Sequence, residues 1–172
     1  DAPSFKWPLA RYRDWLIRQV EKNGVEVRLN TRADKTLLEQ GGYDAVILAL
    51  GALPKKPPIP GVERAWDILS VFGREKELGK RCVVIGGSES GTEAGLYLAE
   101  NGHSVTILTR SNTLAADATP IHYRETIDEY YQLMDDIRYF EEVTTTAIGE
   151  GYVEFVDSEG RTQRVDCDSV VA

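Results

Sequence analysis

The spacing of apolar residues in the first third of the chain predicts helices and strands in alternation. Over residues 9–22 apolar side chains recur every three or four positions, which is typical of an amphipathic helix, and an Asn-Gly pair then ends it. Residues 25–30 alternate apolar and polar side chains and predict a strand, and residues 36–40 predict a short helix. The continuously apolar run 45–50 predicts a strand buried on both faces of a parallel sheet.

The later part of the chain shows the same alternation around a glycine-rich turn. CVVIGG, which starts at Cys82, predicts a strand entering the turn, a helix follows as far as Asn101, and SVTILT predicts the next strand. A further helix is expected over residues 119–134, with Thr119 as its cap and Pro120 as its first helical residue. Beyond it the pattern changes to short strands with a hairpin turn at DSEG and a last strand in DSVVA; the short strands are residues 137–143, 152–157 and 161–166.

A proline-rich segment, GALPKKPPIPG at residues 51–61, separates these two parts. Proline fixes φ and lacks a backbone N–H, so this segment is predicted to be an irregular connector, followed by an approach loop with a short helix at 66–78. We therefore divide the chain into lobes at residues 1–65 and 66–172. The first lobe starts on a helix without a preceding strand, and the second stops at a strand where a glycine turn should follow. We expect a fragment of a longer polypeptide, truncated at its C-terminal strand.

Composition limits the classes of partner. The chain has 172 residues, 42% hydrophobic and 28% charged, with a net charge of −8, a profile typical of a globular protein that nucleic acid and anionic membranes would repel. We expect neither a membrane-spanning segment nor a signal peptide, because no apolar run reaches membrane length and the first residues lack a basic flank followed by an apolar core. The two cysteines, Cys82 and Cys167, favour buried reduced thiols in a cytoplasmic protein, with a disulfide as the alternative. No spacing of His and Cys indicates a metal site.

The glycine turn carries the candidate chemistry. A diphosphate needs exposed backbone N–H groups and close approach, and a glycine turn between a strand and a helix supplies both, aided by the helix dipole. The turn departs from G-x-G-x-x-G because serine stands at the middle glycine, which is expected to alter phosphate placement without preventing binding. The predicted diphosphate-binding residues are Gly86, Gly87, Ser88, Glu89, Ser90 and Gly91.

The end of the second strand indicates which dinucleotide the turn would take. An Asp or Glu there would bind the ribose 2′-hydroxyl of NAD, but this chain has Thr109 followed by Arg110. A guanidinium pairs well with phosphate, so these residues favour NADP over NAD. The alternative is that Arg110 is an ordinary solvated loop residue.

The same two segments resemble a known family. YDAVILALGALPKKPPIPGVERA resembles the second flavin-side segment of two-dinucleotide flavoproteins, and GKRCVVIGGSESGTEAGLYLAENGHSVTILTR resembles their inserted pyridine-nucleotide domain. Within that superfamily the chain is most similar to the C-terminal part of the NADH:flavin oxidoreductases related to 2,4-dienoyl-CoA reductase, 2-enoate reductase and trimethylamine dehydrogenase. The resemblance implies an α/β fold: a Rossmann-like three-layer lobe of parallel sheet, helices and β-meander at 66–172, and a partial FAD-type lobe at 1–65.

The resemblance also implies cofactors and a longer parent enzyme. Members carry an FMN barrel, an iron–sulfur cluster and an FAD domain, and hydride passes from NADH or NADPH to FAD. This chain has no barrel, cluster cysteines or first flavin glycine motif, so we expect the isolated fragment to be inactive. Its partners would be the rest of its own polypeptide and a small-molecule substrate. A non-catalytic, ADP-type nucleotide-binding or docking module is the alternative.

Two further sets of residues follow from the resemblance. Glu93 matches the family's helix glutamate near the junction of nicotinamide and flavin, although it is equally an ordinary first-turn acid stabilised by the helix dipole. The loop that passes near the flavin matches Ala49, Leu50, Gly51 and Ala52, with leucine replacing the usual threonine. No residue of this chain is predicted to be catalytic or to bind metal, since the cofactors carry the reaction.

Overall fold

The computed structural model describes residues 4–118 and 121–172, which form two compact units. One unit is Trp7–Leu53, and the other is Pro54–Ala172 together with the turn Ser4–Lys6. The assignment of an FAD-type and an NAD(P)-type lobe remains a prediction. None of the helices formed by the described residues combines the length and the apolar character needed to cross a membrane.

Helices and strands alternate through the larger unit before a run of three short strands. In chain order the elements of the protein are α1 (Trp7–Lys22), α2 (Lys35–Gln40), β1 (Arg81–Ile85), α3 (Glu89–Glu100), β2 (Ser104–Leu108), α4 (Ile121–Gln132), β3 (Ile137–Phe140), β4 (Thr144–Gly149), β5 (Tyr152–Val156), β6 (Thr162–Asp166) and β7 (Ser169–Val171). The cap and first helical residue predicted for α4, Thr119 and Pro120, lie outside the described residues.

A four-stranded parallel sheet forms the centre of the larger unit. Its strand order is β3-β2-β1-β7, so α3 and α4 are the crossovers that join neighbouring parallel strands. β1 lies in the interior of the sheet, and its residue Val84 pairs with Ile107 of β2 and Val171 of β7. This arrangement is Rossmann-like and confirms the predicted α/β class.

An antiparallel β-meander forms a second layer. Strands β4, β5 and β6 pair in sequence order, and Asp157 accepts hydrogen bonds from the backbone N–H groups of Glu159 and Arg161 in the hairpin turn between the last two. A meander with this hairpin turn was predicted, but its first strand, β4, was not, and the segment 137–143 was counted with the short strands of the tail. Its strand instead joins the parallel sheet, because the α4 crossover brings it alongside β2.

Residues of opposite parity on the central strands fill two separate cores. Val83 on β1 faces a core shared with Phe155 of the meander, and Val84 faces a core shared with Ala94 and Leu98 of α3. Because successive side chains of a strand point to opposite faces, one buried sheet supports both layers. The predicted order of meander, sheet and helices is therefore confirmed.

The smaller unit departs from the sequence-based prediction. Residues 25–30 and 45–50 form no strand, and their apolar side chains are exposed, with Ile47 at 90% and Leu48 at 71%. The prediction of two strands here was wrong. A strand needs a hydrogen-bonding neighbour, and Trp7–Leu53, all of which is described, contains only helices and irregular backbone. Helices α1 and α2 were predicted, and Asp34 caps α2 by accepting the Leu37 N–H at 2.9 Å.

The segment 66–78, which leads into β1, and the two cysteines differ from the sequence-based predictions less than the smaller unit does. The predicted short helix at 66–78 is two 3₁₀ turns, Ile68–Val71 and Glu75–Glu77. Cys82 and Cys167 are buried free thiols, and burial raises the pKa of Cys82 to about 12.

Candidate nucleotide-binding site

The glycine turn lies between the carboxyl end of β1 and the first turn of α3. Gly86 has φ of 108°, a conformation that a residue with a side chain rarely adopts. A Cβ placed on Gly91 would lie 1.9 Å from the carbonyl oxygen of Gly86, so only glycine permits this close approach of helix and turn. The two outer glycines of the motif are therefore required by the geometry of the turn.

Ser88 occupies the middle glycine position without backbone strain. Its φ and ψ are −65° and 176°, in the extended region open to any residue, and it is the N-terminal cap residue of α3. Its side chain makes no capping hydrogen bond to the helix. The serine is therefore compatible with the backbone conformation of the glycine motif, and its hydroxyl does not cap the helix.

A carboxylate from the loop after β2 lies at the N-terminus of α3. Asp117 Oδ1 accepts the backbone N–H of Glu89 at 2.9 Å. The loop Ser111–Ala118 that carries Asp117 also contacts the turn directly, since the Ala115 N–H donates to the Gly87 carbonyl at 2.7 Å. Sequence reasoning missed Asp117, because nothing in a loop acid 28 residues away indicates that it caps this helix.

Glu93, near the start of α3, contacts charged and polar side chains from two other elements of the same unit. The Tyr123 hydroxyl on α4 donates to the Glu93 carboxylate, and Lys6 forms an ion pair with the same carboxylate. The Lys6 ammonium is also 3.5 Å from Glu89 and 5.4 Å from the centre of the Tyr123 ring. The side chains of Lys6 and Glu93 are only 17% and 13% exposed, so their ion pair is largely shielded from water.

This environment alters the chemistry of Tyr123. Burial, followed by the adjacent Glu93 carboxylate, raises the pKa of Tyr123 above its usual range. The hydroxyl therefore stays protonated at neutral pH and remains a hydrogen-bond donor to Glu93. Neither Lys6 nor Tyr123 was a predicted site residue, because they are distant in sequence from the glycine motif and carry no motif of their own.

The two residues predicted to distinguish NADP from NAD lie in different environments. Thr109 is 3% exposed, its hydroxyl accepts the Ser111 N–H at 3.2 Å, and its Cβ would lie 2.7 Å from a Cβ on Gly87. It therefore packs beneath the turn. Arg110 is exposed, and among the described residues it has no hydrogen-bond or ion-pair partner.

The predicted flavin-side residues belong to the other unit. Ala49, Leu50, Gly51 and Ala52 are exposed and form no helix or strand. Gly51 has φ of 74°, so this segment also contains a conformation that favours glycine. The structure therefore groups the nucleotide-side residues around one turn and describes the flavin-side residues as a separate irregular segment.

Known proteins with similar sequences are oxidoreductases by name. The chain matches the pyridine nucleotide-disulphide oxidoreductase family over residues 35–172. NADH oxidase of Thermoanaerobacter brockii is 34% identical over 96% of this chain and 26% of the oxidase. Cinnamate reductase of Clostridium sporogenes is 26% identical over 98% of this chain and 25% of the reductase. The chain thus spans about a quarter of the length of these curated relatives.

A solved structure shares the fold. The complex of 2-naphthoyl-CoA reductase with 2-naphthoyl-CoA matches with a TM-score of 0.89 and 23% identity, over 98% of this chain and 26% of the reductase. At that identity the likeness establishes the fold. The family match, in contrast, includes the glycine turn together with β1, α3 and β2, and it covers most of the chain. This protein therefore belongs to the pyridine nucleotide-disulphide oxidoreductase family.

Proposed function

We propose that this chain is the pyridine-nucleotide-binding part of a longer flavin-dependent oxidoreductase in which hydride passes from NADPH or NADH to FAD. The observation that carries the proposal is the close packing of Gly91 against the Gly86 carbonyl. It brings the first N–H groups of α3 to the carboxyl edge of a parallel sheet, where nucleotides bind in Rossmann-like folds.

The backbone would hold the diphosphate. The N–H groups of Ser88, Glu89 and Ser90 stand at the start of a 12-residue helix whose dipole favours an anion. Gly86 leaves open space where a side chain would stand, whereas Gly87 allows Thr109 and Leu114 to pack against the turn. The Ser88 hydroxyl adds a donor. Binding of this kind positions a dinucleotide without requiring any charged side chain in the turn.

Arg110 would select the 2′-phosphate of NADP. It follows the residue after β2, on the side of the turn where an acid would bind the ribose hydroxyl of NAD. Its lack of a partner among the described residues leaves the guanidinium available for a phosphate. Thr109 would contribute by packing under Gly87 rather than by touching the ribose.

Glu93 would act at the other end of the dinucleotide, as the resemblance to related flavoproteins implies. Tyr123 and Lys6 hold its carboxylate in one orientation, so a carboxamide or ribose hydroxyl would meet a fixed acceptor. When bound, NAD(P)H supplies a hydride and FAD accepts it. This chain's own residues would bind and orient the cofactors, and none of them is predicted to be catalytic.

The parent enzyme would supply the remaining parts. Relatives about four times as long carry the names NADH oxidase and cinnamate reductase, which supports a role within a larger reductase. We assign the chain to the C-terminal FAD- and NAD(P)-binding region of the NADH:flavin oxidoreductases, with Ala49, Leu50, Gly51 and Ala52 on the flavin side. FMN and an iron–sulfur cluster would lie in other regions of that polypeptide, and a small molecule would be its substrate.

Titration of the chain with NADPH, NADH and ADP tests the proposal. Arg110→Ala should weaken NADPH binding about tenfold or more and change NADH binding little, because only NADPH has the 2′-phosphate that a guanidinium pairs with. Arg64→Ala removes another exposed arginine and should affect neither. Equal losses for NADPH and NADH would remove the 2′-phosphate assignment, and failure of all three ligands to bind would remove the nucleotide site.

A non-catalytic, ADP-type module is the second candidate function. The contacts of Glu93 favour it, because Tyr123 and Lys6 already engage its carboxylate and leave less of its hydrogen-bonding capacity for a nicotinamide. ADP binding as tight as NADH binding, together with a full-length protein that does not oxidise NADH or NADPH, would establish this function instead.

A further inference from the structure

The loop Ser111–Ala118 packs onto the glycine turn and buries part of it. Ala115 is fully buried and Leu114 is 7% exposed, although both belong to an irregular segment between β2 and α4. Leu114 Cδ2 would lie 2.9 Å from a Cβ on Gly87, and the Ala115 N–H donates to the Gly87 carbonyl. The loop therefore packs directly against the glycine turn.

Asp117 extends this contact to the helix amide itself. Its carboxylate accepts the N–H of Glu89, the first helical residue of α3, at 2.9 Å. An amide N–H at this position is one of the donors that a diphosphate at a glycine turn uses. A carboxylate oxygen and a phosphate oxygen are both anionic acceptors, and one N–H can bind only one of them well.

We propose that Asp117 is an intramolecular competitor for the nucleotide diphosphate, and that nucleotide binding displaces it from the Glu89 N–H. The inference rests on the proposed function and adds a control on that same site. Asp117 sets the affinity of the turn for anions, and the loop Ser111–Ala118 is the element that moves.

The backbone of the loop is suited to leaving the turn. Ala115 has φ of 48°, in the left-handed region, where a residue with a Cβ is disfavoured. The contacts of the docked loop must offset this cost, and the cost is recovered when the loop is released. A carboxylate held at the helix end by a strained loop is easier to displace than one held by an unstrained loop.

Local charge adds to the competition. Glu89 and Glu93 lie on the first two turns of α3, with Lys6 as the cation beside them. Asp117 contributes a third carboxylate within the same few residues, and like charges disfavour a diphosphate. Removing the Asp117 side chain therefore favours nucleotide binding by two effects, because it frees the amide and lowers the repulsion.

Calorimetric titration of the full chain with ADP tests the inference. We expect Asp117→Ala to tighten ADP binding by about three- to tenfold, the range that one dipole-aligned anionic contact represents. Asp117→Asn should tighten it less, because the asparagine side-chain oxygen still accepts the Glu89 N–H. Asp34→Ala is the matched control, because it removes a carboxylate that accepts a helix N–H at the same 2.9 Å in the other unit. It should leave ADP binding unchanged.

The Glu89 amide provides a second readout in the unsubstituted protein. Its NMR resonance should move on addition of ADP, and its chemical shift in Asp117→Asn without ligand should differ from that of the unsubstituted protein. Unchanged or weaker ADP binding in both Asp117 variants, with folds intact by circular dichroism, would overturn the competition while leaving the nucleotide site. If no variant bound ADP, both the proposed function and this inference would fail.

Discussion

Gly91→Ala is the substitution that most directly tests how the glycine turn is built. A Cβ at this position would lie 1.9 Å from the Gly86 carbonyl oxygen, whereas real Cβ atoms essentially never approach within 3.0 Å, so the two must separate by at least 3.0 − 1.9 = 1.1 Å. The obstructing atom belongs to the backbone of the turn, and no side-chain rotation can relieve the clash. The helix or the turn itself must therefore shift.

Gly95→Ala is the matched control one turn further along α3. Its Cβ would lie 2.6 Å from Ile107 Cδ1, so a separation of only 3.0 − 2.6 = 0.4 Å is required, and the neighbour is the end of a flexible side chain. Both substitutions gain about 0.5–1 kcal/mol from replacing a helical glycine. Overpacking costs about 1–3 kcal/mol, and Gly91→Ala should bear the upper part of that range.

The expected outcome combines stability and binding. Gly91→Ala should be about 1–2 kcal/mol less stable than the unsubstituted chain in urea unfolding, and Gly95→Ala should be within about 1 kcal/mol of it. A shift of about an ångström at the start of α3 should weaken ADP binding at least tenfold, since hydrogen bonds depend steeply on geometry. Equal stability and equal ADP affinity in the two variants would refute the argument that close approach at Gly91 builds the site.

The other predictions concern the contacts of Glu93 and the meander. Tyr123→Phe removes the hydroxyl that donates to Glu93, so NADH binding should weaken about three- to tenfold. ADP binding should be unchanged, because ADP has no nicotinamide. Tyr97→Phe is the control, because it removes a different tyrosine–glutamate hydrogen bond, from Tyr97 on α3 to Glu75. Equal losses of NADH and ADP binding in Tyr123→Phe would contradict the assigned role of Glu93. In the hairpin turn, hydrogen bonds, the first of them from the Arg161 backbone, lower the pKa of Asp157 to about 2. This carboxylate stabilises the fold above its unfolded pKa of about 3.9, and the contribution is lost as pH falls through about 2, so Asp157→Asn should lower the melting temperature at pH 7 and the difference should disappear at low pH. A difference independent of pH would show that the charge is not responsible.

Local patterns were sufficient for the first strands and the first helix of the parallel sheet in the larger unit. β1, α3 and β2 were predicted because an apolar strand, a glycine turn and a helix ended by Asn-Gly each leave a signal within a few residues. The same reasoning failed in Trp7–Leu53, where the apolar runs 25–30 and 45–50 were read as strands. An apolar run predicts that its side chains will be buried against another element. It does not supply the neighbouring strand with which a strand must form hydrogen bonds.

The residues of the candidate site also fall into two groups, those that the sequence predicted and those that it did not. The glycine turn and Arg110 were identified from spacing alone, whereas Lys6, Tyr123 and Asp117 were not. Tyr123 and Asp117 approach the turn because the right-handed crossover places α4 and the loop before it beside α3. Lys6 approaches it from the N-terminal turn Ser4–Lys6. No pattern within the sequence of either segment reports that proximity.

The sequence by itself determined the fold class, the position of the glycine turn and the flavoprotein superfamily to which the chain is related. All three depend on short stretches of consecutive residues. Only the tertiary structure decided that Ser88 is free of strain, that Thr109 lies beneath the turn and that Asp117 holds the Glu89 amide. Each of these depends on atoms far apart along the chain, whose distances are set by packing. Short consecutive stretches therefore determine the residues of the glycine turn, and packing between distant stretches determines what contacts it.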